Sequence, residues 1–129
     1  MSTTGLKVLV IDDSNTIRRS AEIFLKQGGH EVMLAEDGFD ALSKVNDYQP
    51  NLIFCDILMP RLDGYQTCAI IKRNPRFTKV PVIMLSSKDG LFDKARGRMV
   101  GSEDYLTKPF TKEQLLRAVD SYRRGAAAT

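Results

Sequence analysis

The segment LIFCDILMPRLDG, residues 52–64, combines a buried-strand pattern with a carboxylate at its end. The first four residues, LIFC, form a short apolar run that is typical of a buried strand, and Asp56 follows directly. Burying a carboxylate without a partner costs several kcal/mol, so an isolated Asp56 would oppose folding. The rest of the sequence should therefore bring a cation or hydrogen-bond donors to this carboxylate.

Apolar runs of this kind alternate with amphipathic segments along the chain. The runs predict strands over residues 7–11, 31–35, 52–56, 80–87 and 104–107. The amphipathic segments predict helices over residues 15–27, 37–48, 64–73, 91–101 and 111–124. Ser14 and Thr111 can cap two of these helices, and the tail GAAAT is expected to fray. Five such units favour an α/β fold, a doubly wound five-stranded parallel sheet covered on both faces.

The length and composition suit one soluble domain. We expect it to occupy residues 1–129, with a core over about residues 6–124 and short tails. No apolar run reaches the roughly 18 residues that a membrane helix needs, so membrane insertion is not expected. The N-terminal residues lack a secretory signal pattern, which makes the cytoplasm the expected location. Cys55 and Cys68 lack the spacing of a disulfide framework or a zinc site.

The net charge of +3 is placed unevenly. Residues 1–87 carry ten basic and ten acidic side chains, whereas residues 88–129 carry nine basic and six acidic ones. This excess is too small and too interspersed for a nucleic-acid interface, which would show a strongly basic stripe. It is compatible with a protein partner that has an acidic surface.

Polar side chains stand at four of the five predicted strand ends. Asp12 and Asp13 follow the first strand, Asp56 ends the third, Ser86 lies at the end of the fourth, and Lys108 follows the fifth. Ligands of such sheets bind beyond the carboxyl ends of the strands, so these groups should meet at one edge. Three carboxylates together would repel one another unless a cation joins them, and oxygen ligands suit Mg²⁺.

A carboxylate beside Mg²⁺ and a lysine is arranged for phosphoryl transfer. Carboxylates can act as nucleophiles and form aspartyl-phosphates. The metal and Lys108 would offset the negative charge of the transferred group, and the hydroxyl of Ser86 could hydrogen-bond one of its oxygens.

Four motifs, VLVIDDS, FCDILMPRLDG, VIMLSS and YLTKPF, occur in this order and spacing. Together they resemble the receiver domain of two-component response regulators of the chemotaxis type, over essentially the whole chain. The resemblance implies the flavodoxin-like strand order 2-1-3-4-5. It implies that Asp56 is the phosphoacceptor and that Mg²⁺ is bound by Asp13, Asp56 and the backbone carbonyl of Leu58, with Asp12 acting mainly through water.

The same resemblance assigns roles to other residues. Lys108 resembles the phosphate-binding lysine, Ser86 the switch hydroxyl and Tyr105 the switch aromatic. The bond between Lys108 and Pro109 is a plausible cis peptide. The residues that control phosphoryl lifetime correspond to Leu58 and Lys88, and neither can orient an attacking water. We therefore expect slow self-dephosphorylation.

The implied function is signalling by contact between proteins. A histidine kinase of the chemotaxis type would phosphorylate Asp56, and the face made by the fourth helix, fifth strand and fifth helix would bind a downstream protein. The chain ends after the fifth helix, so a stand-alone regulator is expected, without turnover of an external substrate. The basic residues of this face are Lys94, Arg96, Arg98, Lys112 and Arg117. The motifs are most similar to receivers of a chemotaxis-like system that controls type IV pili and twitching motility.

Other interpretations stay open at this point. Asp12 and Asp13 could cap the first helix, Ser86 could bond only to backbone, and Tyr105 could be a core aromatic. A regulator of a flagellar motor is an alternative function. A Mg²⁺-dependent phosphohydrolase that forms an aspartyl-phosphate is an alternative of another class, but it would need a second aspartate where Leu58 stands. The sequence names neither the kinase nor the target, and it does not say whether phosphorylation drives dimerisation.

Overall fold

The apolar runs form one parallel five-stranded sheet. The computed structural model describes residues 5–87 and 93–128, and at residues 124–128 it describes the backbone alone. The strands are β1 (Lys7–Ile11), β2 (Glu31–Ala35), β3 (Leu52–Asp56), β4 (Val82–Ser87) and β5 (Asp104–Lys108). Their order is β2-β1-β3-β4-β5, as the family resemblance implies, and all four pairings are parallel, as the sequence pattern predicts.

Helices follow each strand and cover both faces of the sheet. They are α1 (Asn15–Gln27), α2 (Gly38–Tyr48), α3 (Gly64–Arg73), α4 (Lys94–Met99) and α5 (Lys112–Ala128). Within residues 5–87 and 93–128, no helix is long and apolar enough to cross a bilayer. The architecture is therefore the predicted α/β fold with a doubly wound sheet.

Side-chain caps set where these helices begin. Ser14, Asp37, Asp63 and Asp93 each accept a hydrogen bond from a backbone N–H in the first turn of the helix that follows. Such caps satisfy donors that the helix itself leaves unpaired. Asp63 forms a capping box with Gln66, which fixes the start of α3 directly after the loop that follows Asp56.

Alternate residues of the central strands build two apolar layers. One side of β1 and β3, including Leu9 and Ile53, packs with residues of α2 and α3. The other side, including Val10 and Phe54, packs with residues of α1 and α5. All five residues of β3 are buried, because this strand has a neighbour on each side and helices on both faces.

Several predicted boundaries were wrong, including the end of β5, which is Lys108 rather than residue 107. Strand β4 begins at Val82 rather than Val80, because the backbone N–H of Val80 closes a turn onto Phe77. Helix α4 spans Lys94–Met99 and so ends before the predicted residue 101, whereas residues 91 and 92 of its predicted range lie outside the described residues. Helix α5 continues to Ala128 instead of fraying after residue 124, which agrees with the high helix propensity of alanine.

The sheet and helices leave little space around the end of β3. A Cβ atom on Gly64 would lie 2.3 Å from the carbonyl oxygen of Asp56, and the N–H of Gly64 donates to the oxygen of Ile57 at 2.8 Å. A glycine at the start of α3 thus allows the helix to approach the strand that carries the central carboxylate.

Candidate active site

Three carboxylates meet at the carboxyl edge of the sheet. Asp12 and Asp13 follow β1, and Asp56 ends β3, the neighbouring strand. One carboxylate oxygen from each of the three residues lies within 4.8 Å of the others. The edge lies where the strand order reverses, between β1 and β3, which is the usual ligand position in such sheets.

Lys108 at the end of β5 neutralises part of this cluster. Its ammonium nitrogen lies 2.9 Å from Oδ1 of Asp56 and 3.0 Å from Oδ2 of Asp12. The Lys108 side chain is 15% exposed, so water screens these two contacts only weakly. The peptide bond from Lys108 to Pro109 is cis, as the family resemblance implies. The ammonium of Lys108, from the edge strand β5, thus partly compensates the negative charge of the buried Asp56.

Each polar atom of Asp12 forms a hydrogen bond. Its backbone N–H donates to the carbonyl oxygen of Ala35, and its backbone carbonyl accepts from the guanidinium of Arg18. Its carboxylate accepts from the N–H of Ser14 at 2.9 Å as well as from Lys108. Asp12 is fully buried, whereas Asp13 is exposed. Asp12 therefore organises the site, and Asp13 is the carboxylate of this pair that solvent can reach.

The electrostatics of the cluster favour an added cation. Burial raises the pKa of Asp56 to about 7, Lys108 partly opposes this shift, and the charge of Asp12 adds to it. Burial alone would lower the pKa of Lys108, but its contacts with Asp56 and Asp12 raise it, so this ammonium stays charged. One ammonium does not balance three carboxylates, so a divalent ion would relieve the remaining repulsion.

A cavity of about 160 Å³ opens beside the carboxylates. Asp13, Asp56, Leu58, Ser86 and Lys108 are among the residues that line it. The hydroxyl of Ser86 donates to the carbonyl oxygen of Ser87 at 3.3 Å, a contact that it can exchange for another acceptor. The Leu58 side chain is 70% exposed at the rim. The cavity therefore gives a small anionic group access to Asp56.

The donor set fits Mg²⁺. Asp13 and Asp56 offer carboxylate oxygens at this cavity, and Leu58 is another of its lining residues. No sulfur or imidazole ligand accompanies the three carboxylates in the cluster found among the described residues. Hard oxygen ligands with room for water are what Mg²⁺ requires.

Tyr105 and part of the basic face lie at a separate groove. Tyr105 is 39% exposed and lines a groove of about 220 Å³. Its other lining residues are Lys94, Arg98, Ser102, Glu103 and Asp104. On α5, Arg117 is exposed and Lys112 is half-buried. Lys88, which the family resemblance associates with phosphoryl lifetime, lies outside the described residues.

Arg96 makes contacts that its sequence position did not predict. Its guanidinium lies 4.4 Å from the ring centre of Tyr65 and 3.4 Å from the carboxylate of Asp63, both in α3 or at its cap. The hydroxyl of Tyr65 also accepts from the backbone N–H of Asp93, the cap of α4. Arg96 therefore ties α4 to α3, which distinguishes it from Lys94 and Arg98.

Arg18 is the other site residue that the sequence analysis missed. It reaches back from α1 to the carbonyl of Asp12, six residues earlier, and also contacts the side chain of Asn15. The sequence could have indicated this contact only indirectly, because the buried backbone carbonyl of Asp12 requires a hydrogen-bond donor from somewhere in the chain.

Replacing Asp56 with asparagine should stabilise the metal-free protein more at about pH 8 than at about pH 5. The pKa of Asp56 is about 7 in the fold and about 3.9 in an unfolded chain. The folded state therefore holds this proton more tightly, and the free energy of unfolding falls as pH rises between these values. Asparagine does not titrate, so its stability relative to the wild type should be about 3 kcal/mol greater at about pH 8 than at about pH 5.

Urea denaturation in EDTA at both pH values measures this difference. An Asp47→Asn variant, changed at an exposed carboxylate of α2, controls for the change in net charge. A gain for Asp56→Asn that is equal at both pH values, or a loss at about pH 8, would contradict the prediction.

Comparison with known proteins adds the family to this geometry. The sequence matches the response regulator receiver domain over residues 8–120. It is 68% identical to Protein PilG of Pseudomonas aeruginosa over 118 residues, which are 92% of this chain and 87% of that protein. Protein PilH of the same organism is 34% identical, over 92% of this chain and 98% of that protein.

A solved structure agrees with the sequence matches. The chemotaxis protein CheY4 of Vibrio cholerae is similar with a TM-score of 0.86 and 31% identity, covering 92% of this chain and 98% of that one. The shared architecture is the flavodoxin-like sheet described above, with helices on both faces. By sequence and by fold, the chain belongs to the response regulator receiver domain family.

Proposed function

We propose that this protein is a cytoplasmic phosphoacceptor that takes a phosphoryl group onto Asp56 from the phosphohistidine of a chemotaxis-type kinase. The observation that carries this proposal is the contact of Lys108 with both Asp56 and Asp12 beside an open cavity. A nucleophilic carboxylate, a fixed cation and room for a small anion are the parts that phosphoryl transfer needs.

The chemical step forms one bond and breaks one. An Asp56 carboxylate oxygen attacks phosphorus, and the phosphorus–nitrogen bond of the donor breaks with its electron pair going to the imidazole nitrogen. The ammonium of Lys108, 2.9 Å from Oδ1 of Asp56, offsets charge on the transferred group. Asp13, Asp56 and the carbonyl of Leu58 would hold Mg²⁺, with Asp12 acting through water. Bound Mg²⁺ supplies further charge neutralisation at the phosphoryl oxygens.

The response to phosphorylation passes through Ser86 and Tyr105. A new dianion at Asp56 offers the Ser86 hydroxyl a stronger acceptor than the carbonyl of Ser87, at the wall of the same cavity. Ser86 pairs in register with Thr107 of β5, two residues after Tyr105. Movement of Ser86 would therefore reach the face made by α4, β5 and α5, as a two-state equilibrium biased by one charge.

The biological role that similarity favours is control of type IV pili and twitching motility. The identity of 68% to PilG is about twice that to PilH or CheY4. Control of a flagellar motor is the alternative within the same class. In either role the protein would catalyse only the gain and loss of its own phosphoryl group and would turn over no external substrate.

A phosphohydrolase that acts on other molecules is the alternative of a different class. Enzymes of that kind need a second acid two residues after the nucleophile, and Leu58 occupies this place with its side chain at the cavity rim. The cavity thus lacks an acid at that position to protonate a leaving group.

Incubation with acetyl phosphate tests the central step. We expect one phosphoryl group per chain on Asp56 in the presence of Mg²⁺, and no stable adduct on Asp56→Asn or in EDTA. Intact-protein mass spectrometry measures the adduct, and peptide mapping locates it. An adduct on another residue, or an unchanged yield in EDTA, would overturn the proposal.

Leu58→Asn should shorten the life of the phosphorylated protein several-fold. The exposed leucine at the cavity rim cannot hydrogen-bond to water, whereas an amide can orient a water for attack on phosphorus. The decay of the adduct after removal of the donor measures the effect. Leu58→Met, which keeps an apolar side chain, should decay like the wild type. Equal decay of the asparagine variant would refute this role for Leu58.

The double change Lys94→Glu and Arg98→Glu should impair output without slowing phosphorylation. Both residues line the groove beside Tyr105, so reversing their charges should repel an acidic target. Arg96 is left unchanged because it binds α3. The readout is the twitching zone of a Pseudomonas aeruginosa strain that lacks PilG and expresses this chain.

The control for this experiment is Arg73→Glu with Lys79→Glu, an equal charge change at exposed residues away from the groove. Wild type and control should restore twitching, and all variants should react alike with acetyl phosphate. Failure of the wild type would contradict the pilus role. Full restoration by the double variant would contradict the acidic target.

A further inference from the structure

Arg18 of α1 binds the loop that carries two site carboxylates. Its guanidinium donates to the backbone carbonyl of Asp12 and to the side-chain oxygen of Asn15. The carbonyl of Asp12 belongs to the peptide unit that joins Asp12 to Asp13. Because a peptide unit is planar, a bond to this oxygen also fixes the backbone from which the Asp13 side chain projects.

The two carboxylates differ in how they are held. Lys108 and the N–H of Ser14 hold the carboxylate of Asp12, which is fully buried. Within the described part of the chain, no cation or N–H group donates to the carboxylate of Asp13, which is exposed. The side chain of Asp13 also interacts with that of Asp56. Its direction depends in addition on its backbone, which Arg18 anchors through the carbonyl of Asp12.

From this geometry we infer that Arg18 is a positioning residue, which aims the carboxylate of Asp13 at the cavity that it shares with Asp56. The inference rests on the proposed function, in which Asp13 binds Mg²⁺. Arg18 touches neither the acceptor carboxylate nor the phosphoryl group in this scheme. It acts through the peptide unit between Asp12 and Asp13, and its effect should appear first in the affinity for Mg²⁺.

The sign of this effect separates positioning from simple charge. A guanidinium near a cation site repels the cation, so removing it would strengthen Mg²⁺ binding if Arg18 acted by charge alone. Without the hydrogen bond from Arg18, the backbone at Asp12 and Asp13 would be less ordered, and part of the Mg²⁺ binding free energy would be used to order Asp13. Positioning thus predicts weaker Mg²⁺ binding when the positive charge is removed, the opposite of the electrostatic result.

Isothermal titration of Mg²⁺ into the full chain tests the inference, with Arg18→Gln compared with Arg19→Gln. Arg19 is the next residue of α1, is exposed, and gives the same change in net charge. We expect the Kd for Mg²⁺ to rise several-fold in Arg18→Gln and to stay at the wild-type value in Arg19→Gln. An unchanged or lower Kd in Arg18→Gln would overturn the inference.

A second measurement separates positioning from general damage. The rate of reaction with acetyl phosphate, followed against Mg²⁺ concentration, should show a raised half-saturating concentration in Arg18→Gln and a maximal rate close to wild type. A reduced maximal rate with unchanged half-saturation would overturn the inference. If Arg18→Gln does not fold, as judged by circular dichroism, Arg18→Met replaces it because its side chain is long but has no N–H donor, and a wild-type Kd for that variant would overturn the inference.

The outcomes for the two proposals are distinct. A wild-type chain that binds no Mg²⁺ would contradict the proposed metal site and function, and the positioning role with it. A wild-type chain that binds Mg²⁺ and reacts on Asp56, together with an Arg18→Gln variant of equal affinity, would overturn the role of Arg18 alone.

Discussion

The rest of the site depends on one ammonium group shared between two buried carboxylates. Lys108 lies within 3.0 Å of both Asp12 and Asp56, and the three residues lie at the carboxyl ends of three different strands. Without this cation the apolar strand β3 could not end in a buried aspartate at acceptable cost. The same contact leaves the cluster net negative, so the fold tolerates the charges and still attracts a cation. The contacts of Lys108 therefore both stabilise the buried carboxylates and leave a negative site that can bind a cation.

Most of this arrangement could be predicted from the sequence because parallel strands end at one edge. The apolar runs located β1, β2 and β3 at their observed bounds, and a polar residue after each run had to lie at that edge. Errors occurred where local geometry or propensity overrode the pattern. Val80 lies in a turn rather than in β4, and the alanines after residue 125 continue α5 instead of fraying.

Contacts between distant side chains and backbone were beyond the reach of sequence patterns. Arg18 looked like one more charge on a solvated helix, yet it binds the backbone beside the carboxylates. Arg96 was grouped with the basic residues of the fourth helix, yet it contacts Tyr65 and Asp63. Spacing places a residue on an element, but the rotation of that element and the reach of a long side chain decide its partner.

The central position of β3 has a consequence for how a signal leaves the site. This strand is hydrogen-bonded on both sides and buried on both faces, so it belongs to the stiffest part of the domain. In the proposed function, a dianion attached at its end would not be accommodated by bending this strand. The proposed response would instead pass across β4 to β5, which has a sheet neighbour on one side only and side chains partly open to solvent. A rigid central strand and a more exposed edge strand would thus direct the proposed response toward β5.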